Sequence, residues 1–394
     1  MQRIGDVLLA TPLVRSIKAQ WPQAQIDLIV FRGTEGVLEH NPDVRQVIAV
    51  ARRATWRERF ADAARIWRRY DLACATISSS RCRFYAWAAG RKRVGLLDPD
   101  RNGQLSALML HRLAIDDHRS VHTVTSNLAL TQLIGVSPRA DVVAPGIGND
   151  PARRVAFDAR FASTLGTPAV RSLAVLHPFP MYVYKQWRID GWTQVIAWLR
   201  DQGFAVALSG GQAPAERAYA MRVVEAAGEP VLNLVGQLTL GETAEMIRRA
   251  KVFIGPDTGV THIASGCGTP TVALFGPSNP IRWGPWPSHW PVGDEPWALR
   301  GSGRRGNVFL LQGGGACVPC KQEGCERHVD SESRCLTELD ASRVIAAVAE
   351  LLGLPKPHRQ PMPMPMPQPQ PQPQPQLQPG GARWAPLPYV ARRK

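Results

Sequence analysis

Short apolar runs alternate with amphipathic stretches along most of the chain. The apolar runs predict strands at Ile26–Val30, Val44–Val50, Leu72–Ile77 and Arg93–Leu96, and again at Leu173–His177, Phe204–Leu208, Val231–Leu234, Val252–Ile254, Thr271–Phe275 and Val308–Leu311. Between them, helical spacing predicts helices at Trp56–Tyr70, Phe84–Ala89, His122–Leu133, Pro151–Leu165, Asp190–Gln202, Pro214–Ala227 and Thr239–Ala250, with a closing helix at Asp340–Leu352. The first helix is expected from Asp6 to Gln20, with Val7, Ala10, Val14 and Ile17 on one face and a kink at Pro12. Trp56–Tyr70 is basic and carries Trp56, Phe60, Ala63, Ala64 and Trp67 on one side. Regular alternation of strand and helix indicates parallel α/β sheets. A seam near residues 150–170 splits the pattern into two series, predicting two doubly wound domains that face across a cleft. After Gly353 the pattern stops. Met-Pro and Gln-Pro dipeptides from Pro361 to Gln376 cannot bury a core, so residues 354–394 are expected to be a disordered, partly polyproline II tail.

One stretch, Lys251–Pro280, organises the rest. Val252–Ile254 is an apolar strand stopped by Gly255-Pro256. Asp257 or Thr258 then caps a helix running to about Ser265, and Thr271–Phe275 is a second apolar strand stopped by Gly276-Pro277. Strand, helix and strand with almost no loop is the shape of a parallel crossover. The helix start lies beyond the carboxyl end of its strand, where free N–H groups and the helix dipole suit an anion. Asp257, Thr258, Gly259 and His262 stand at that mouth. A plain helix cap with a packing histidine is the alternative. Asp-Thr-Gly-x-x-His between two apolar strands is the less common pattern and favours a phosphate-bearing ligand.

Charge narrows the partners. The 394-residue chain has 47 bases and 32 acids, a formal net charge of +15. Six of the bases and no acid lie after Gly353, which leaves +9 for residues 1–353. That balance favours nucleotides, phosphorylated glycolipids, an anionic membrane or nucleic acid; a generally basic composition reads equally well. The chain has no apolar run long enough to span a bilayer and no signal-peptide layout at Met1–Asp6, so a cytoplasmic location is expected. Neither G-x-G-x-x-G nor G-x-x-x-x-G-K-[ST] follows any expected strand, which argues against dinucleotide oxidoreductases and P-loop enzymes.

Three further groups could carry chemistry. Lys185, in the segment after Leu173–His177, could meet a phosphate as a point charge, with Tyr184 and Trp187 available to stack on a ring. Ser209-Gly210-Gly211 follows the strand Phe204–Leu208 and would let a nucleotide approach, with Glu216 one turn into the next helix able to hold a ribose hydroxyl. Asp6 is either a helix cap or, facing the cleft, a group able to take a proton from an attacking hydroxyl. Cys317, Cys320, Cys325 and Cys335, spaced C-x2-C-x4-C-x9-C, could hold a structural zinc or remain free thiols of a loop.

Together these residues resemble the family 9 glycosyltransferases, the heptosyltransferases of lipopolysaccharide core assembly. The matching pieces are Arg3-Ile4-Gly5-Asp6-Val7-Leu8-Leu9 with Thr11-Pro12, then Lys185-Gln186-Trp187, Ser209-Gly210-Gly211, and Gly255–His262 through Phe275-Gly276-Pro277; they span about residues 1–352. The resemblance implies a GT-B fold: an N-terminal Rossmann-like acceptor domain (1–165), a C-terminal nucleotide-sugar domain (166–339) and a closing helix (340–353). It implies ADP-heptose as donor, transfer with inversion to the lipid A–core acceptor at the inner face of the cytoplasmic membrane, no required cofactor or metal, and no nucleic-acid partner. By position, Asp6 is the general base and Lys185 neutralises the departing diphosphate. Asp257, Thr258, Gly259 and His262 hold diphosphate and sugar, Glu216 takes the ribose, and Leu238 lines the adenine pocket. Another nucleotide-sugar donor, or a non-catalytic nucleotide-sugar-binding homologue, are the competing readings. The chain departs from the family in three places. It starts at the Gly-Asp loop, so a sheet lacking its central strand is expected, with a misplaced start codon as the explanation. Pro180 and Met181 stand at hydroxyl-bearing positions. The proline-rich tail is an addition.

Overall fold

The computed structural model describes residues 3–100, 104–165, 172–228 and 230–355. Most of the tail expected to be disordered, and residues 166–171 of the expected seam, lie outside them. The first part of the chain forms α1 (Ile4–Leu8), α2 (Thr11–Gln20), β1 (Asp27–Phe31), β2 (Gln46–Val50), α3 (Trp56–Arg65), β3 (Tyr70–Ala75), α4 (Ser80–Ala89), β4 (Gly90–Leu97), β5 (Arg112–Ile115), α5 (Thr123–Ile134) and α6 (Pro151–Leu165). The second part forms β6 (Leu173–Leu176), α7 (Ile189–Asp201), β7 (Ala205–Leu208), α8 (Pro214–Ala227), β8 (Leu232–Asn233), α9 (Leu240–Arg249), β9 (Val252–Pro256) and α10 (Gly259–Gly266). It closes with β10 (Thr271–Phe275), α11 (Pro280–Trp283), β11 (Gly303–Arg305), β12 (Val308–Gln312), α12 (Arg334–Thr337) and α13 (Ala341–Leu352).

The second part is one seven-stranded sheet in the order β11-β12-β10-β9-β6-β7-β8, parallel except for the antiparallel edge strand β11. Its central strands β6, β9 and β10 are buried at every position, as expected for strands covered by helices on both faces. Chain order reverses between β6 and β9, which pair with Leu176 opposite Ile254. A crevice opens beyond the carboxyl ends of strands at such a switch point. Lys185 follows β6, and Asp257 follows β9.

The first part carries two separate parallel sheets, β1-β2 and β3-β4-β5. A cavity of about 1560 Å3 lies between them, lined by Leu28 and Val30 of β1, Leu72 and Cys74 of β3, and Leu13 and Ile17 of α2. At the amino ends of the two strands, the Tyr70 hydroxyl bridges this gap and donates to Asp27 Oδ2 at 2.7 Å. Burial and the Asp27 carboxylate together push the Tyr70 hydroxyl up to about 12.

Several boundaries differ from the sequence reading. The first helix is broken rather than kinked: α1 ends at Leu8, and Pro12 sits in the first turn of α2, where no N–H is required. Trp56–Tyr70 stops at Arg65, because Arg68 adopts φ 52° and the chain turns into β3. Strands β5 and β11 and the short helices α11 and α12 were not foreseen.

Candidate active site

Thr258 caps α10, its hydroxyl accepting from Thr261 N at 3.4 Å. The Thr261 hydroxyl in turn donates to the Pro256 carbonyl at 2.5 Å. These bonds leave the first N–H groups of α10 directed out beyond β9. Gly259 is required there: a β-carbon would stand 2.9 Å from Ile4 Cγ2, so the start of α1 rests directly on the start of α10. One residue on, Gly5 faces the His262 ring, whose Cδ2 lies 3.4 Å from where its β-carbon would be. The Gly-Asp segment and the Asp257–His262 turn, more than 250 residues apart, thus form one site.

Three side chains fill it. Lys185 Nζ donates to Asp257 Oδ2 at 2.5 Å, with their side chains only 15% and 8% exposed. Burial by itself would raise the Asp257 pKa. The charge of Lys185, the His262 ring, and hydrogen bonds from Lys185 and Ser278 outweigh it and hold the carboxyl below its usual 3.8. His262 is pushed down to about 4, first by burial and then by Lys185, against a pull from Asp257. The ring is therefore neutral near pH 7. Its Nδ1 is buried with no hydrogen-bond partner among the described residues. Such a group is costly unless a ligand satisfies it.

Asp6 is half-buried in the first turn of α1, where Oδ2 accepts from Arg3 N at 3.1 Å. Arg3 reaches the segment after β6: it donates to the Tyr182 hydroxyl at 3.3 Å and lies 5.3 Å from that ring's centre. Tyr182 stacks on Tyr184, with centroids 5.4 Å apart. Glycine also allows a close approach on the β7 side. The Gly211 N–H donates to Glu216, and a β-carbon on Gly211 would stand 2.8 Å from Glu216 Oε1. Burial raises the Glu216 pKa against that bond. Ser209 is buried and pairs with His177 Nδ1 at 3.1 Å. Leu238 packs at the edge of the apolar cluster that holds Ile4 and Val260.

Trp187 is not available for ring stacking: it is buried, with Nε1 donating to the Leu339 carbonyl at 2.9 Å. Among the described residues no three of His, Cys, Asp and Glu gather to hold a metal ion, and Cys317, Cys320, Cys325 and Cys335 are all free thiols. Cys335 is buried behind Gly276 and pushed up to about 12, chiefly by burial.

Sequence reasoning missed Ser278, Tyr182 and Arg282. Ser278 follows β10 at the same carboxyl edge as Asp257, and that placement was the signal for it. Arg282 forks onto Asp116 at 2.8 and 3.1 Å and also donates to Ser126 at 2.8 Å, tying α11 to the loop after β5. Nothing local marks that pair.

The chain matches the model of Glycosyltransferase family 9 (heptosyltransferase) over residues 66–291. It is 23% identical over 300 residues to lipopolysaccharide heptosyltransferase 3 of Escherichia coli strain K12, covering 73% of this chain and 83% of that one. To lipopolysaccharide heptosyltransferase 1 of Pseudomonas aeruginosa it is 26% identical over 375 residues, covering 90% and 96%. Among solved structures, the E. coli ADP-heptose lps heptosyltransferase II is similar with a TM-score of 0.67 at 20% identity, over 89% of this chain and 96% of that one. The fold is GT-B, with Rossmann-like doubly wound halves across a cleft.

Proposed function

Because this chain belongs to glycosyltransferase family 9, we propose that it transfers a heptose from ADP-heptose to the inner core of lipopolysaccharide, with inversion at the anomeric carbon. The observation that carries this reading is the meeting of Lys185, Asp257 and His262 at the α10 start with the Gly5-Asp6 segment. The relatives' names supply the sugar and the acceptor.

In this reading the donor diphosphate lies against the α10 N–H groups and Lys185. Lysine has three donors, so it keeps Asp257 while bonding a phosphate oxygen. Asp257 and His262 Nδ1 take sugar hydroxyls, and Glu216 takes the ribose. The acceptor oxygen attacks the anomeric carbon from the side of Asp6, which receives its proton. The bond from that carbon to the diphosphate breaks, and ADP leaves with its new charge met by Lys185 and the helix. The charge is met by the chain's own groups, so the reaction is expected to continue in EDTA. The two-domain division at residues 165–166 and an acceptor held at the inner face of the cytoplasmic membrane belong to the same reading.

Pro180 and Met181, where hydroxyl-bearing residues are expected, favour a second reading with a different nucleotide sugar. One experiment separates the two. Purified protein is incubated with ADP-heptose and with other nucleotide sugars, using core-truncated lipopolysaccharides as acceptors, and release of each donor's nucleoside diphosphate is followed. Turnover only with a non-heptose donor removes the heptose assignment. ADP binding without turnover on any acceptor removes the transferase assignment.

A further inference from the structure

Helix α3 projects a face that the site does not use. It is capped reciprocally, with Glu58 N donating to Thr55 Oγ1 and Thr55 N donating to Glu58. Trp56 is 66% exposed, Phe60 58% and Trp67, just past the helix, 48%. Large aromatic rings in this state are unusual on a soluble surface when they are contiguous. These are contiguous: Trp56 meets Phe60 edge-on at 6.2 Å, and Phe60 meets Phe84 at 5.6 Å. Phe84 stacks on Trp87 at 6.0 Å, and Trp87 meets Trp67 at 5.0 Å. The half-buried Phe84 and Trp87 belong to α4, so the exposed rings stand on a packed base.

The charge around this band is mostly positive. Between Arg52 and Arg69 stand seven arginines and two acids. The acids are engaged, Glu58 in the cap and Asp62 as acceptor of the Tyr85 hydroxyl at 3.4 Å. Arg57 lies over the Trp56 ring at 5.4 Å and Arg68 over Trp67 at 5.5 Å, so apolar rings and cations alternate along one surface. A helix with aromatic rings on one side and arginines beside them matches the boundary between headgroups and acyl chains of an anionic bilayer: rings enter the boundary and guanidinium groups meet phosphate.

We infer that α3 and the adjoining Trp67 form a membrane-docking surface that seats this chain on anionic phospholipid. This goes beyond the reading above by naming the surface, and its test needs no turnover, so it can fail while the transferase assignment stands. The test is cosedimentation of the full chain with vesicles of phosphatidylcholine alone and of phosphatidylcholine mixed with phosphatidylglycerol. Binding to the mixed vesicles only is expected. Trp56→Ser/Phe60→Ser should weaken it about tenfold or more, and Arg57→Gln/Arg65→Gln about 25-fold, at about fivefold per arginine. Arg304→Gln/Arg305→Gln, an exposed pair on β11, serves as the charge control and should bind as wild type. Circular dichroism and the melting midpoint check that the variants fold. Equal binding to both vesicle types, no vesicle binding, or loss in the β11 pair equal to that in α3 would overturn the inference.

Discussion

The ammonium of Lys185 lies 2.5 Å from Oδ2 of Asp257, although the two residues follow different strands of the sheet. Their meeting depends on β6 and β9 being neighbours at the point where strand order reverses. Removing one partner of a buried pair leaves the other charge uncompensated and typically costs ~3–5 kcal/mol. Lys185→Ala should therefore lower stability by about that order, and Lys185→Ala/Asp257→Ala should recover part of the loss, as read from urea midpoints. Activity should separate from stability. Both variants should lose roughly 100-fold or more in kcat, because neither can meet the leaving diphosphate. A single variant as stable as wild type would mean that the pair is solvated.

Asp6 offers a cleaner kinetic test. Asp6→Asn retains a side-chain oxygen to accept from Arg3 N, so the first turn of α1 keeps its cap. It cannot take a proton. The expected result is a fall in kcat of about 100- to 10,000-fold with unchanged ADP affinity by calorimetry. An unaltered rate would exclude Asp6 as the base.

Much of this site was legible because its signals are local. The unit from Val252 to Phe275 announces itself by two apolar strands, Gly-Pro stops and a threonine cap, all within one crossover. The break between α1 and α2 was hidden because Val7, Ala10, Val14 and Ile17 keep helical spacing through it. β5, Arg-Leu-Ala-Ile, is too short to show period. The Arg282–Asp116 fork and the Arg3–Tyr182 contact join residues 166 and 179 positions apart, and no window of sequence contains them.

Three buried histidines set the response to acid. Burial is the first cause in each: His122 is pushed down to about 3, and His177 and His262 to about 4, from an ordinary 6.5. Between those values and 6.5 the unfolded chain binds protons that the folded chain does not. Stability therefore rises with pH through that window and is lost as pH falls from about 6.5 toward 4. Asp257, with its pKa held below 3.8, adds a further loss at lower pH still, as its carboxylate protonates. The urea midpoint should drop steadily between pH 7 and pH 5. His177→Gln, which removes one of the three, should show a shallower drop. A flat profile in the wild-type chain would mean that these rings stay solvated.

The cavity between β1 and β3 makes the last prediction. Each strand is paired on one side only among the described residues, β1 with β2 and β3 with β4, and they start level, as the Tyr70–Asp27 hydrogen bond shows. Helix α2 covers the gap and leads into β1. Strands joined by one short helix commonly lie side by side, and the right-handed crossover sets on which side. An apolar segment joined to the N-terminus would thus enter this gap, pairing with both free edges and covering Leu28, Val30, Leu72 and Leu13. Extending the chain by five to seven mostly Val and Ile residues should raise the melting midpoint by roughly 5 °C, given about 1.5–3 kcal/mol per buried side chain less the cost of ordering the segment, at about 2–4 °C per kcal/mol. A Ser/Gly extension of the same length cannot cover the apolar walls and should leave the midpoint where it is. Equal midpoints for the two extensions would mean that the gap does not accept a strand.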